Sequence, residues 1–273
     1  MRRDPAFVPL REAVVALTGL GYWCDKDELL ADRLAPLLGH RGDDAAALVS
    51  RLRSEGGHGP ASEAVIGAVT VGETFFFRFR AQFEALERVV LPEAMARAAS
   101  RRSLAIWSAG CSNGAEPYSL AMLIKRRFSR QLAGWQVDIL GTDINAAALM
   151  EARAATYGAW TIRDLPEDVR RECFDVLGGR WVLKPAYRQG VRFARHNLAT
   201  QVAPDTNLDL VLCRNVLMYF DDATRVRVLA SLRSSLAVGG WLLVGHAEVG
   251  PAIQEFFTPQ VLNDCTLYRR MTR

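Results

Sequence analysis

Four short segments hold side chains whose types and spacing can do chemistry. Residues 107–122, WSAGCSNGAEPYSLAM, place Gly110 and Gly114 between an apolar run and a helical pattern opening at Glu116. A glycine turn between strand and helix is where α/β proteins bring their backbone close to a nucleotide-like ligand. The Gly110-x-x-x-Gly114 spacing is not G-x-G-x-x-G, and no Gly-Lys-Ser/Thr follows to make a P-loop. Glu116 disfavours a pyrophosphate and suits a cationic ligand. The plainer reading is a turn whose glycines serve packing. Asp143, in LGTDIN (140–145), ends the next apolar run. Its carboxylate can accept from both vicinal hydroxyls of a ribose, or it can cap the following helix, as Asn145 can.

The third segment is CRNVLMYF (213–220), where Arg214, Asn215 and Tyr219 follow a strand too apolar to be exposed. Buried groups of this kind need hydrogen-bond partners; the alternative is an exposed polar loop. The fourth, TVGETFFFR (70–78), fits neither an amphipathic helix nor an alternating strand. It reads as a helix start capped by Thr70 or Glu73, with Phe75, Phe76 and Phe77 plugging a domain junction. Thr74 and Arg78 remain to reach a ligand in the groove.

The elements that must position these residues fall into two textures. Residues 7–55 show helical spacing. One helix stops at Gly19 and Gly21, a second starts near Asp25–Asp27 and closes at Gly39 and Gly42, and a third covers 45–52. A short helix near 61–68 leads out after the breaker cluster GGHGP (56–60). From about residue 103, strands (104–109, 137–142, 208–213, 241–245) alternate with helices (116–128, 146–155, 222–236). Repeated β–turn–α units predict a doubly wound parallel sheet with its ligand at the carboxyl ends of the strands. Residues 159–197 interrupt this alternation. A helix at 167–174 and two strands, 181–184 and 191–194, predict a small inserted antiparallel hairpin. Residues 257–270 read as two antiparallel strands about a turn at Asn263-Asp264.

Composition narrows the function. The chain of 273 residues is 50% apolar and 23% charged, a globular balance that excludes disordered and fibrous classes. A net charge of +4 is too weak to argue for nucleic acid. No apolar run approaches a membrane span and the first residues carry no signal-peptide core, so a cytoplasmic protein without membrane insertion is expected. Five scattered cysteines and four isolated histidines have no metal-ligand spacing, so no metal is expected and the thiols are expected to be free.

These segments, in order, resemble the CheR-type chemoreceptor protein-glutamate O-methyltransferases, which use S-adenosylmethionine. The resemblance spans nearly the whole chain: TGLGY and DKDELLADRL within 18–34, ETFFFR, SAGCSNGAEPYSLAM, GTDIN, HNL (196–198), CRNVLMYF and GHAE (245–248). It implies an α/β protein in three parts. A helical N-terminal domain covers residues 1–68, a linker and connecting helix 69–102, and a Rossmann-like methyltransferase domain 103–273. A small antiparallel β-subdomain at about 175–195 is inserted in the last. By resemblance Gly72, Thr74, Arg78, Gly110, Glu116, Asp143, Asn197, Leu198 and the turn of Cys213, Arg214 and Asn215 line the S-adenosylmethionine site. Asp143 would hold the ribose, Asn197 and Leu198 would meet the adenine through backbone groups, and Arg78 and Tyr219 would face the methyl acceptor. Gly72, Asn113, Ala115 and Phe79 depart from residues the family often carries.

The implied partner is the cytoplasmic helical bundle of a chemoreceptor, with the protein itself a monomer. Residues 1–60 carry 8 basic and 9 acidic side chains, so a basic docking face there would need clustering on one helix side. A nicotinamide dehydrogenase, a silent S-adenosylmethionine-binding signalling module, and a methyltransferase of small molecules or nucleic acid are the competing classes.

Overall fold

The computed structural model describes residues 5–39, 44–262 and 264–272. The readings placed on Gly42 and Asn263 lie outside them. Among the described residues the N-terminal unit has four α-helices, α1 (Phe7–Thr18), α2 (Asp27–Gly39), α3 (Ala45–Glu55) and α4 (Pro60–Val69), with a 3₁₀ turn at Gly21–Asp25 that carries Trp23. Local chemistry sets their ends. Gly19, left-handed at φ 75°, stops α1 with its N–H on the Val15 carbonyl, and the Asp44 carboxylate caps α3 by accepting from Ala47 N–H. Their apolar faces meet in one core around Leu10, Val14, Trp23, Leu30, Leu34 and Leu48. Each such burial contributes roughly 1.5–3 kcal/mol relative to exposure.

Residues 70–79 form a non-helical strap, which corrects the helix start expected at Thr70 or Glu73. Phe77 and Phe79 sit at φ 55° and 63°, a left-handed conformation that no α-helix contains. The helix α5 (Arg80–Ala85) begins only after them and passes through a π-turn into α6 (Leu91–Ala98). Of the three aromatics, Phe76 is fully buried edge-on to Tyr157 and Phe174, with ring centroids 5.0 and 5.2 Å away. Phe77 packs on Phe83, while Phe75 stays half-buried.

The larger unit follows as β1 (Ser103–Ala109), α7 (Ala115–Phe128), β2 (Gln136–Asp143) and α8 (Ala146–Ala154). Next come β3 (Thr156–Tyr157), α9 (Glu167–Cys173), β4 (Phe174–Leu177), β5 (Arg180–Leu183) and β6 (Val191–Arg195). The chain ends with β7 (Leu208–Cys213), α10 (Asp222–Ser235), β8 (Leu236–Val244), α11 (Pro251–Gln254), β9 (Thr258–Leu262) and β10 (Cys265–Arg269). Seven strands make one sheet in the order β6-β2-β1-β7-β8-β10-β9. Its first five run parallel, and β10 and β9 close it antiparallel. All six residues of β7 are buried, as a central parallel strand covered on both faces requires. The chain leaves β1 toward β2 and β6, then returns on the other side through β7. This switch point opens a crevice at the carboxyl ends of the strands.

The inserted sheet is β3-β5-β4, drawn from residues 156–157 and 174–183. The sequence reading extended the subdomain to about 195 and paired 191–194 within it; instead β6 runs parallel to β2, with Phe193 opposite Gly141. The cause is packing: the Phe193 ring lies 5.4 Å from that of Tyr118, on the main sheet, and occupies the space that a Gly141 side chain would need. The hairpin closes with β4 and β5 alone through the two-residue Gly178-Gly179 turn. Among the described residues no helix is long and apolar enough to cross a membrane.

Candidate active site

The crevice beyond β1, β2, β6 and β7 is a cleft of about 1070 Å³, including the part open to solvent. Gly72, Thr74, Arg78, Gly110, Glu116, Asp143, Asn197, Leu198, Arg214, Asn215 and Tyr219 all line it, along with Thr18 and Leu20 of the helical unit. Cys213 does not. It is the last residue of β7, fully buried in the core with Trp107 and Leu242, so only the turn after it reaches the cleft.

Asp143 is fixed at the tip of β2. One carboxylate oxygen accepts from Ser112 N–H (2.8 Å) and the other from Asn145 N–H (2.9 Å). Burial nonetheless holds its carboxyl above the usual range, against those two bonds. A carboxylate has about four lone-pair sites, so two remain for the hydroxyls of a ligand. The helix cap is Asn145, whose Oδ1 accepts from Ala147 and Ala148 N–H while its Nδ2 donates to Thr70 Oγ1. Strap and sheet edge are thereby tied together, and Ser112 Oγ donating to the Gly72 carbonyl (2.9 Å) makes a second tie.

The glycine turn serves packing at Gly110. Its φ is 75°, and a Cβ there would lie 2.4 Å from Val216 Cγ2, on the turn after β7. Glu116 is not a bare charge. Its carboxylate accepts from Arg214 Nη1 (2.9 Å) and Ser108 Oγ (2.7 Å). Arg214 also donates to the Arg78 carbonyl, so one guanidinium clamps the start of α7, the strap and the end of β7. Its side chain is 3% exposed, and its Nε has no partner among the described residues. Asn197 is used internally as well: Nδ2 donates to the Leu17 carbonyl and its N–H to Gln201 Oε1. Of that pair, Leu198 makes no backbone hydrogen bond among the described residues.

Arg78 and Tyr219 stand at the rim. Arg78 Nη1 donates to the Glu73 carbonyl (2.9 Å), closing the strap's last turn. Tyr219 is half-buried, and burial, reinforced by neighbouring Tyr22, raises its phenol above the usual value. The phenol therefore stays protonated near neutrality and acts as a donor. Its loop carries Asn215 at φ 60°, a costly backbone state for which the structure supplies a partner. The Glu248 carboxylate accepts from four backbone N–H groups: Asn215 and Val216 (both 2.7 Å), Met218 (3.2 Å) and Gly245 (2.6 Å). Glu248 lies in GHAE, a motif visible in sequence, but its role was not assigned there because its partners are backbone groups. Tyr22, Ser112 and Thr70 carry no signal of these contacts in sequence because their partners, Tyr219, Asp143 and Asn145, lie far along the chain.

A Rossmann-type sheet with a switch-point cleft, a carboxylate at the second strand's end and a partly apolar wall define a nucleoside-cofactor enzyme. A family model described as "CheR methyltransferase, SAM binding domain" matches residues 72–262. Chemotaxis protein methyltransferase 1 of Pseudomonas aeruginosa is 36% identical over 237 residues, covering 84% of this chain and 85% of that protein. Chemotaxis protein methyltransferase Cher2 of Pseudomonas putida is 35% identical over 230 residues, 82% of each. A chemotaxis protein methyltransferase of Listeria monocytogenes is 37% identical over 183 residues, 67% of each. The chain belongs to the CheR methyltransferase family: it is a chemotaxis-type methyltransferase whose cofactor is S-adenosylmethionine.

The cleft's lining is compatible with that cofactor: Asp143 keeps two acceptor sites, Ile144, Leu198 and Phe220 add apolar surface, and Arg214 Nε is a buried donor with no partner among the described residues.

Proposed function

We propose that the chain methylates glutamate side-chain carboxylates of a chemoreceptor, giving a methyl ester and S-adenosylhomocysteine, as a cytoplasmic step of chemosensory adaptation. The observation that carries this reading is the pair at the rim. Arg78 is a cation and Tyr219 a protonated phenol, both donors suited to a carboxylate, and both face the cleft beside the cofactor residues. When bound, S-adenosylmethionine supplies an electrophilic methyl on a cationic sulfur.

A glutamate carboxylate is already ionised near neutrality, with a reference pKa of about 4.3, so the site needs no general base. The residues' task is alignment and exclusion of water. Well-oriented reactants can gain on the order of 7–11 kcal/mol relative to free encounter. Arg78 and Tyr219 would orient the acceptor oxygen, and Arg78 would do so through a loose contact, since a tight ion pair lowers the oxygen's nucleophilicity. Asp143 and Leu198 would hold the nucleoside, and Thr74 and Gly72 of the strap would cover it.

The test supplies methyl-labelled S-adenosylmethionine, the purified protein and chemoreceptor-bearing membranes, then counts methanol released by mild alkali. Release that depends on the protein supports carboxyl methylation. Stable label that resists alkali would mean another acceptor.

A further inference from the structure

We propose that Arg163 and Trp160 extend the acceptor site outward from Arg78 and form the surface on which an acidic helix of the methylated protein docks. This rests on the carboxylate-acceptor reading above. The observation is an alternating series of rings and guanidiniums. The Arg163 guanidinium lies between Trp160 (3.9 Å to the centroid) and Phe75 (3.7 Å). Arg78 lies over the same Phe75 ring (5.7 Å) and over Phe79 (5.6 Å), and Arg214 lies over Phe79 and Phe83 (both 5.6 Å). The series runs from Trp160, 64% exposed, inward to the buried Arg214 beside the cofactor residues.

The charges along it are unbalanced. Arg80, Arg126 and Arg127, which line the adjoining groove, are each matched by a carboxylate: Glu84, Glu172 and Glu87. Among the described residues neither Arg78 nor Arg163 has an ion-pair partner, although Glu73 and Asp164 are close in sequence. Each donates one hydrogen bond to a backbone carbonyl, of Glu73 and Trp160 respectively. A guanidinium has five N–H donors, and stacking occupies its faces while leaving its edges free for planar carboxylates. The two distances to Phe75 keep the guanidinium carbons within about 9.4 Å of each other. Carboxylates one turn apart on a helix face are roughly 5–6 Å apart at Cβ, and each turn rises about 5.4 Å. A helix that offers its target glutamate to Arg78 can therefore rest a second carboxylate, one or two turns along, on Arg163.

A purely structural role for Arg163 makes different demands. Its carbonyl accepts from Arg170, and Phe76 N–H donates to the Thr161 carbonyl, so this loop is already tied to the strap by its backbone. The experiment measures initial methyl-transfer rates on chemoreceptor-bearing membranes of the host organism, at varied receptor and salt concentration. Wild type, Arg163→Gln and Arg163→Lys are compared, with S-adenosylhomocysteine affinity and Tm measured on each. Arg163→Gln should raise KM for receptor about tenfold, with kcat and S-adenosylhomocysteine affinity within about twofold, and should flatten the salt dependence of KM. Arg163→Lys should return KM to within about threefold of wild type. An unchanged KM in Arg163→Gln would remove the docking role. A fall in kcat at constant KM, or joint loss of S-adenosylhomocysteine affinity and Tm, would make Arg163 a structural staple instead. Wild-type protein that transfers no alkali-labile methyl would overturn the acceptor reading, and this proposal with it.

Discussion

Tyr22 of the helical unit stands edge-on to Tyr219 of the methyltransferase unit, ring centroids 5.6 Å apart and planes at 80°. The contact depends on Gly21, where a Cβ would lie 2.7 Å from Asp221 N. The rim phenol is thus braced from the other unit of the chain, and the approach is too close for any side chain at residue 21. An edge-to-face aromatic pair is worth about 0.5–1.5 kcal/mol beyond its burial. Tyr22→Ala is expected to lower kcat by about 2- to 10-fold while S-adenosylhomocysteine affinity stays within about twofold. Steady-state kinetics beside calorimetric titration reads both, and an unaltered kcat would show that Tyr219 needs no brace.

Arg78 offers the sharper separation of transfer from binding. Its backbone carbonyl, which Arg214 holds, survives truncation of the side chain. Arg78→Ala should cut methyl transfer by about 100-fold or more, roughly 2.7 kcal/mol of transition-state stabilisation. S-adenosylhomocysteine affinity should move far less. Equal losses in both quantities would assign Arg78 to the cofactor alone.

Asp143 predicts a pH dependence with a definite sign. Burial raises its carboxyl, so the folded chain keeps that proton to higher pH than the unfolded chain does. Stability from this group is therefore present in acid and is lost as pH rises through the folded value. Ligand binding runs the other way, because the ionised form accepts hydroxyl protons best. S-adenosylhomocysteine affinity should fall as pH drops from about 7 through the raised carboxyl range, and Asp143→Asn should flatten that profile while weakening binding at neutral pH. A pH-independent wild-type affinity would place the ribose elsewhere.

Glu248 should behave as a positioning residue. Four backbone donors converge on its carboxylate, and removing it leaves them to water or to nothing. Glu248→Ala is expected to destabilise the fold by on the order of 2–4 kcal/mol. Glu248→Gln replaces one acceptor oxygen with a donor that opposes N–H groups, so it should lower kcat more than cofactor affinity. Urea unfolding and single-turnover rates distinguish these effects, and a Gln variant with wild-type kcat would reduce Glu248 to a loop anchor.

Strand ends were legible because period and burial act on side chains. Asp143 and Arg214 follow apolar runs in sequence; in space Asp143 ends β2 and Arg214 stands directly after β7. The strap was not legible, because left-handed backbone at Phe77 and Phe79 contradicts what those residue types prefer. The sequence does not place β6 in the main sheet, because four of its residues are half-exposed and Arg192 is exposed, and the hold of Phe193 on Gly141 spans 52 positions in sequence. The Glu116–Arg214 pair is separated by 98 residues, so the sequence suggested a free acid where the fold contains a neutralised one.

The cleft wall is shared: Thr18 and Leu20 belong to the helical unit, and the rest to the strap and sheet. A molecule lodged there touches both units at once and acts as a reversible cross-link between them. Its binding free energy adds to the cohesion of the pair, about 2.7 kcal/mol when free ligand stands 100-fold above its dissociation constant. Cofactor well above its dissociation constant is therefore expected to raise the melting temperature of both units together.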